Sequence, residues 1–383
     1  MSKYLTARQK DKFSKAVELC LSRIDMMAGQ LESMGNVFPV STLEDGRVDA
    51  TSKGVWGDGH WVGLLWLAYE ATGAEKFLAW AKKWTAMIEY RKADTWTHDL
   101  GFLLGLSHMK GYYVLGDPHY KEVALTAAEY YTRRLNPHIG IIQWHSTQDN
   151  EKDNFTSAID AMMNIALMWW AFEETGDKRF YNVGFSEAVG VQRFFLREDG
   201  STAHVVKFDP KTGKFIEWLA GQGYAPNSCW SRGLAWAAYG FAHAYLRTGH
   251  GPFKTAALST ANYFLNGLPE DLVPYWDFNH PAIPNTYRDS SAASAVASGL
   301  FELVKGTDDE SLQSKYEKQA LAMLESLTDN YATDGTPHAA LLLHGAQHVP
   351  AGQRMDSCLI WGDYYYFEGI LRALGKWSKC PHF

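Results

Sequence analysis

The sequence predicts an all-α fold, an (α/α)6 barrel in which six helical hairpins form a double ring with long loops at the functional end. Helical periodicity runs through most of the 383 residues, short glycine turns recur, and loops rich in Gly, Asp, Pro, His and Trp separate them. No Pro/Ser-rich linker, charge block or low-complexity tract divides the chain. We therefore expect residues 1–383 to form a single barrel domain.

Five short turns predict the hairpins. They read EATGAEKF from Glu70, YVLGDPHY from Tyr113, EETGDKRF from Glu173, LRTGHGPF from Leu246 and VKGTDDES from Val304. Each has a glycine where the end of a helix favours a left-handed residue, and most continue into an aromatic residue of the next helix. Long helices near residues 7 to 34 and 361 to 377 supply a sixth pair, so about twelve helices close a double ring. An open α-solenoid is the alternative.

Five long connections mark the functional end of the barrel. They span residues 36 to 59, 136 to 153, 197 to 227, 267 to 287 and 332 to 360. Long loops on a rigid scaffold are where binding and chemistry concentrate. The segment VVKFDPKTGKFIEW alternates like a β-hairpin with its turn at residues 211–213, and we expect it to be the only strand pair of note.

Composition excludes several classes of function. The formal net charge is −7 without a run of lysines and arginines, which argues against a nucleic acid or a membrane as partner. The four cysteines form no CxxC pair and the histidines lack metal-ligand spacing, so we expect no metal or other cofactor. The N-terminus lacks a secretory apolar core, so we expect a cytoplasmic protein. Aromatic residues make up 14% of the chain, a composition suited to gripping sugar rings.

Two aspartates stand at positions where a core residue is expected. Asp99 precedes LGFLLGL and Asp160 precedes AMMNIAL. In a helix, the residues three, four and seven positions later share a face with each acid, and all of these are apolar except Asn164. Burial of an ionised carboxylate is costly without partners. Both lie near the N-terminal ends of inner helices, so we expect them to meet at one mouth of the barrel. The alternative is that each caps a helix or pairs with an arginine.

Other polar residues fall at similar places. Arg232, Trp236 and Tyr239 share one helical face of NSCWSRGLAWAAYGF, which brings a cation and two aromatic rings to the interior. Asp289 is expected to act as an N-terminal charge of the helix that follows it. His204, in STAHVV, is either a hydrogen-bonded loop histidine or a functional one. GxSxG, P-loop, GxGxxG and HExxH motifs are absent.

Nine blocks in order resemble glycoside hydrolase family 88, the unsaturated glucuronyl hydrolases. The blocks are WGDGHWVGLLWLAYEATG, HDLGFL, the Asp160 helix, STAHVV, GQG, WSRGLAW, VPYWDF, YRDSSAASA and IWGDYYYFE. The resemblance implies the (α/α)6 barrel, with Asp160 as general acid/base, Asp99 as a second essential aspartate and no metal. It also implies that the sugar site is lined by Trp56, His98, His204, Gln222, Trp230, Arg232 and Trp236.

The resemblance further implies a substrate with an unsaturated uronic acid at its non-reducing end, as polysaccharide lyases leave it. Its C4=C5 bond is a vinyl ether, so protonation at C4 and addition of water at C5 give a hemiketal that opens and expels the rest of the oligosaccharide. One carboxylic acid serves both proton transfers if its pKa lies near working pH. We expect burial beside Asp99 to raise the pKa of Asp160 into that range.

Three alternatives stay open beside this function. A related unsaturated rhamnogalacturonyl hydrolase uses the same barrel with similar acids. A conventional inverting glycosidase requires carboxylates about 6.5–9.5 Å apart across an anomeric carbon. A non-catalytic carbohydrate-binding α-barrel explains the aromatic residues but leaves both acids unexplained. We expect the substrate oligosaccharide as partner and a monomer or weak homodimer.

Overall fold

Helices make up most of the structure, a computed structural model that describes residues 2–145 and 155–382. In chain order, the twelve helices of these residues are α1 (Ala7–Met34), α2 (Asp58–Thr72), α3 (Glu75–Ile88), α4 (Gly101–Met109 continued by Lys110–Leu115), α5 (Pro118–Thr132), α6 (Ala161–Asn164 continued by Ala166–Thr175), α7 (Lys178–Phe194), α8 (Ser231–Thr248), α9 (Gly251–Asn266), α10 (Ser290–Lys305), α11 (Glu310–Asn330) and α12 (Ile360–Ala373). Short 3₁₀ turns lie at Glu89–Ala93 and Val349–Ala351.

The helices form two concentric rings. The even-numbered helices α2, α4, α6, α8, α10 and α12 each pack on the next, and α12 packs on α2, which closes the inner ring. Helices α3, α5, α7, α9 and α11 pack outside their preceding partners, and α1 packs on α12 to complete the sixth pair. The predicted (α/α)6 barrel is therefore confirmed, and the open solenoid is wrong.

Left-handed glycines end four of the inner helices, as predicted. At these helix ends φ lies between 65° and 71°, and each glycine donates its N–H to the carbonyl four residues earlier: Gly73, Gly116, Gly176 and Gly249. The fifth hairpin is present, but its glycine is not left-handed as predicted. Gly306 has φ −81° and shares its N–H among three carbonyls of the last turn of α10. The chain then reaches Asp309, whose side chain caps α11.

Strands occupy the long connections. They are β1 (Phe38–Thr42), β2 (Val48–Thr51), β3 (Leu135–Asn136), β4 (Ile141–Ile142), β5 (Phe155–Ala158), β6 (Val205–Phe208) and β7 (Phe215–Leu219). The predicted hairpin is confirmed as β6–β7, and β5 adds to it as a third antiparallel strand. The expectation of a single strand pair is wrong, because β1–β2 and β3–β4 pair as well. An Asp-Gly turn signal lies between β1 and β2, where Gly46 has φ +86°.

The inner helices all begin at the end of the barrel that receives the long connections, here called the loop end. Their sides are almost entirely buried: α8 buries fourteen of its eighteen residues and α10 fourteen of sixteen. Such all-round burial is typical of helices in the core of a large protein. Among residues 2–145 and 155–382, no helix combines the length and apolar character needed to cross a bilayer.

Candidate active site

Asp99 and Asp160 lie at the loop end, directly before α4 and α6, and Asn164 joins them. The Asn164 side-chain amide donates to Asp99 Oδ1 and to the Asp160 carbonyl oxygen, both at 3.2 Å. Its oxygen accepts the Phe102 N–H at 2.8 Å. One buried side chain therefore fixes the starts of two inner helices relative to each other, and the expectation that the two acids share one mouth of the barrel is confirmed.

The close approach of α4 to α6 depends on a glycine. A Cβ on Gly101 would lie 2.5 Å from both Cα and O of Asn164, which is closer than non-bonded atoms approach. The first part of α4, Gly101–Met109, is π-helical. The spacing of three, four and seven used to place Asp99 on a face therefore does not apply, because a π-helix closes its hydrogen bonds at i→i+5. The residues after Asp99 are buried all the same.

Asp99 is held by the loop that precedes it. Thr97 Oγ1 donates to Asp99 Oδ2 at 2.6 Å, and His98 Nε2 lies 3.4 Å from Asp99 Oδ1. Asp99 is only 8% exposed. In the part of the chain that the structure describes, neither Asp99 nor Asp160 pairs with an arginine, and Asp160 makes no side-chain capping bond to α6. The capping and ion-pair alternatives therefore do not account for these acids.

The three-stranded sheet delivers His204 to Asp160. Ala158 pairs with Val205, and the Ile159 N–H donates to the His204 carbonyl at 3.0 Å. His204 Nε2 then lies 3.4 Å from Asp160 Oδ2. The site thus contains two carboxylate–imidazole pairs, His98–Asp99 and His204–Asp160. Asn164 links the two pairs through its hydrogen bonds to Asp99 Oδ1 and to the Asp160 carbonyl oxygen.

The tautomer of His204 follows from its other ring nitrogen. The Gln222 backbone N–H donates to His204 Nδ1 at 2.7 Å, so Nδ1 is an acceptor and the ring proton sits on Nε2, facing Asp160. Gly221 makes this possible, because it has φ +56° and a Cβ there would lie 2.2 Å from His204 Nδ1. The Trp230 ring packs 4.3 Å from the imidazole. His204 is therefore fixed as a donor toward Asp160.

The environment lowers the pKa of Asp160. Burial alone raises the pKa of this carboxyl, but the contact with His204 and the nearby His98 outweigh burial, so the pKa falls below its usual range. Burial also lowers the pKa of His98, against the pull of the two carboxylates. The expectation of a raised pKa for Asp160 is wrong for the free protein, because it weighed the second carboxylate and omitted the two imidazoles.

The tryptophans predicted to line the sugar site occupy two depths. Trp56 is partly exposed and packs on Trp361, with ring centroids 4.4 Å apart. Trp236 is fully buried and packs between Phe102 and Tyr365, at 5.5 and 5.4 Å. Trp56 can present a ring face to a ligand, whereas Trp236 lies beneath the residues of the loop end.

Arg232 is enclosed by protein acceptors. Nη1 donates to Asp289 Oδ2 at 2.7 Å and to the Ala346 carbonyl at 2.5 Å. Nη2 donates to Gln222 Oε1 at 2.9 Å and to the Gln347 carbonyl at 2.6 Å. The geometry gives Arg232 the task of holding Gln222 and the 346–347 backbone in place.

The structure also locates Asp289 and Tyr239, the two remaining residues that the sequence analysis singled out. Asp289 caps α10 by accepting the Ser291 N–H, as predicted, and also pairs with Arg232. Tyr239 does not reach the loop end with Arg232 and Trp236. Its hydroxyl donates to Glu368 and accepts from Arg372 in a separate buried cluster. The shared helical face is real, but successive turns of α8 carry it away from the site.

Sequence reasoning missed three contributors to the site. Asn164 carried a signal, since it stands four residues after Asp160 on the same predicted face. Trp144, whose ring centroid is 5.7 Å from that of His204, lies in a loop noted only for its length. Thr97 could not be recognised from the sequence as a partner of Asp99, because threonines are common in the residues before a helix.

Comparison with known proteins identifies the family. The model of Glycosyl Hydrolase Family 88 matches residues 32–370. An unsaturated glucuronyl hydrolase of Bacillus sp. (strain GL1) is 35% identical over 366 residues, covering 93% of this chain and 97% of that protein. An unsaturated chondroitin disaccharide hydrolase of Streptococcus pneumoniae is 32% identical over 375 residues, covering 96% and 93%. The crystal structure of the unsaturated glucuronyl hydrolase from Bacillus sp. GL1 matches with a TM-score of 0.88 at 35% identity, covering 94% of this chain and 96% of that one. The chain belongs to glycoside hydrolase family 88 and is a glycoside hydrolase.

Proposed function

We propose that this enzyme releases Δ4,5-unsaturated glucuronic acid from the non-reducing end of lyase-generated oligosaccharides, such as glycosaminoglycan fragments. The family and the names of its relatives support this substrate class. The observation that carries the proposal is the pair of carboxylate–imidazole couples, His98–Asp99 and His204–Asp160, tied together by Asn164 at the loop end. This arrangement offers one acid for proton transfer and a second for holding the ring.

In the proposed mechanism, Asp160 is the general acid and then the general base. The π electrons of C4=C5 take the proton of Asp160 onto C4, which leaves an oxocarbenium-like centre at C5. Water adds to C5 and gives a proton back to the Asp160 carboxylate. The resulting hemiketal opens by breaking the bond between C5 and the ring oxygen, and the hemiacetal at C1 then expels the remaining oligosaccharide as an alcohol.

Asp160 has to acquire a proton for the first step, and the negative charge of the substrate favours this protonation. In the free enzyme, the two histidines keep the pKa of this carboxyl low. The unsaturated uronate carries its own carboxylate, and a like charge beside Asp160 disfavours the ionised form. We propose that Asp160 is protonated as the substrate binds. Asp99, held by Thr97 and Asn164, accepts hydrogen bonds from the ring hydroxyls.

The remaining predicted residues take supporting places in this proposal. Trp56 offers a ring face to the sugar, while His98 and the side chain of Gln222 offer polar contacts. Trp230 is buried against His204 and Arg232 and supports both side chains. His204 orients Asp160. Arg232 and Trp236 act from beneath the site, the first through Gln222 and the second by packing.

A panel of lyase-generated disaccharides tests the function. With unsaturated glucuronyl disaccharides, we expect the wild-type enzyme to remove the ultraviolet absorbance of the double bond. The Asp160→Asn variant should leave this absorbance almost unchanged. Faster turnover of an unsaturated rhamnogalacturonan disaccharide would assign the enzyme to the rhamnogalacturonyl class. Cleavage of saturated glucuronides, assayed beside the panel, would indicate a conventional glycosidase. No turnover of any member of the panel would contradict the proposed substrate class.

A further inference from the structure

Arg134 is a buried arginine whose partners are backbone carbonyls. It follows α5 at the start of β3 and is 3% exposed, whereas the adjacent Arg133 is exposed and stacks over the Tyr130 ring at 4.2 Å. Among the described residues, Arg134 forms no ion pair with a carboxylate, and Asp99 and Asp94 act on it only through longer-range charge interactions. Burial of a cation is costly, so the bonds that it makes require an explanation.

The guanidinium of Arg134 joins two segments that frame the site. Nη1 donates to the Thr95 carbonyl at 3.0 Å. Nε donates to Gln143 at 3.0 Å, and Nη2 donates to Trp144 at 2.9 Å and to His145 at 2.6 Å, in each case to the carbonyl oxygen. The planar fork of an arginine can reach carbonyls in these different directions at once.

Thr95 belongs to the loop that delivers the first acid. It stands four residues before Asp99 and two before Thr97, which hydrogen-bonds Asp99 Oδ2. The same loop carries His98, which lies 3.4 Å from Asp99 Oδ1. Anchoring the Thr95 carbonyl therefore fixes the path of the backbone that places the His98–Asp99 pair.

The 143–145 segment belongs to the surroundings of the second acid. The Trp144 N–H donates to the Thr156 carbonyl of β5, the strand that leads to Asp160. The Trp144 ring stacks on His145 at 4.0 Å and lies 5.7 Å from His204. Arg134 is thus the common anchor of the backbone on both sides of the site.

We propose that Arg134 is a positioning residue of the reaction, which holds the 95–99 loop against the 143–145 segment so that the two carboxylate–imidazole pairs keep their relative geometry. It acts through these backbone segments and touches no substrate. This inference rests on the proposed function, and it adds a residue that lies outside the sequence blocks which indicated the family.

The test compares Arg134→Lys with Arg133→Lys on the unsaturated disaccharide that the wild type turns over best. Lysine keeps the charge but loses the fork, so we expect Arg134→Lys to lower kcat by about tenfold to a hundredfold, with a smaller change in KM. Amide hydrogen exchange should accelerate in residues 95–98 and 143–145 and stay unchanged in the helices. Arg133→Lys should leave kcat, KM and exchange as in the wild type.

A double-mutant cycle with Thr97→Val tests the same role in a second way. All rates are measured at a temperature where the wild type, both single variants and the double variant are folded, so a lower Tm of Arg134→Lys does not affect the comparison. If Arg134 acts through the 95–99 loop, the effects of Arg134→Lys and Thr97→Val on kcat should be non-additive. Wild-type kcat in Arg134→Lys, or strictly additive effects, would overturn the positioning role. A wild type that turns over no unsaturated disaccharide would instead overturn the proposed function.

Discussion

At the scale of single residues, the chemistry depends on a carboxyl group that both gives and takes a proton at one place. Asp160→Asn should lower turnover by about 10²- to 10⁴-fold, because an amide can neither protonate C4 nor accept a proton from water. Asp99→Asn should also be severe, since an amide in place of the carboxylate weakens the hold on the ring hydroxyls. Steady-state kinetics, with Tm as the check on folding, measure both. Near wild-type rates in Asp160→Asn would remove it from the reaction.

A second prediction at this scale concerns the pH profile. His204 opposes the effect of burial on Asp160, so His204→Phe should raise the pKa of Asp160. The protonated form starts the reaction, so activity falls as pH rises through this pKa. The basic limb of the kcat/KM profile should therefore move to higher pH in His204→Phe and stay in place in His138→Phe, whose histidine is exposed on the β3–β4 turn. A limb that does not move, or moves to lower pH, contradicts the assignment.

At the scale of elements, the separation of the two acids is set by how closely α4 approaches α6. Gly101→Ala places a Cβ against the Asn164 backbone, so the helices must separate at a cost of about 1–3 kcal/mol. We expect a lower Tm and a lower kcat together. Gly251→Ala, in the outer helix α9 with open space around its Cβ, should change neither. A Gly101→Ala variant with unchanged kcat would show that the spacing of α4 and α6 is not critical.

Elements with a local signal could be predicted from the sequence, and those that depend on distant contacts could not. The glycines at 73, 116, 176 and 249 determine their turns by their own backbone freedom, so the hairpins followed from the chain alone. The pairing of His204 with Asp160 depends on the antiparallel register of β5 and β6, across 44 residues. The sign of the Asp160 pKa shift depends on that pairing. This explains why the acid could be predicted from the sequence, whereas the direction of its pKa shift could not.

At the scale of the whole molecule, we propose that residues 1–383 fold as one domain, since α1 packs on α12 and the two ends of the chain share the last hairpin. Calorimetry should then show one unfolding transition. Its pH dependence carries the signature of buried acids: Asp363 is 1% exposed, and burial raises its pKa to about 7 despite two backbone hydrogen bonds.

The sign of this pH dependence follows from linkage. Between an unfolded pKa of about 4 and a folded pKa of about 7, only the unfolded chain loses the proton of Asp363, so the free energy of unfolding falls as pH rises. Asp363→Asn removes this titrating carboxyl and should reduce the loss of Tm between about pH 5 and pH 7, where the folded and unfolded chains differ in protonation. The exposed Asp308→Asn should keep the wild-type dependence. An identical pH dependence in Asp363→Asn would contradict the account.

The most direct test of the central claim is where solvent hydrogen appears in the product. A conventional glycosidase leaves the ring carbons untouched, whereas hydration of C4=C5 must place one solvent hydrogen on C4. Turnover in deuterated water, followed by NMR at early times, should show one deuteron at C4, on a single face because Asp160 is fixed on one side of the ring. Product incubated without enzyme corrects for exchange beside the C5 ketone. A product formed without deuterium at C4, or hydrolysis of the saturated glucuronide at a comparable rate, would contradict the hydration mechanism.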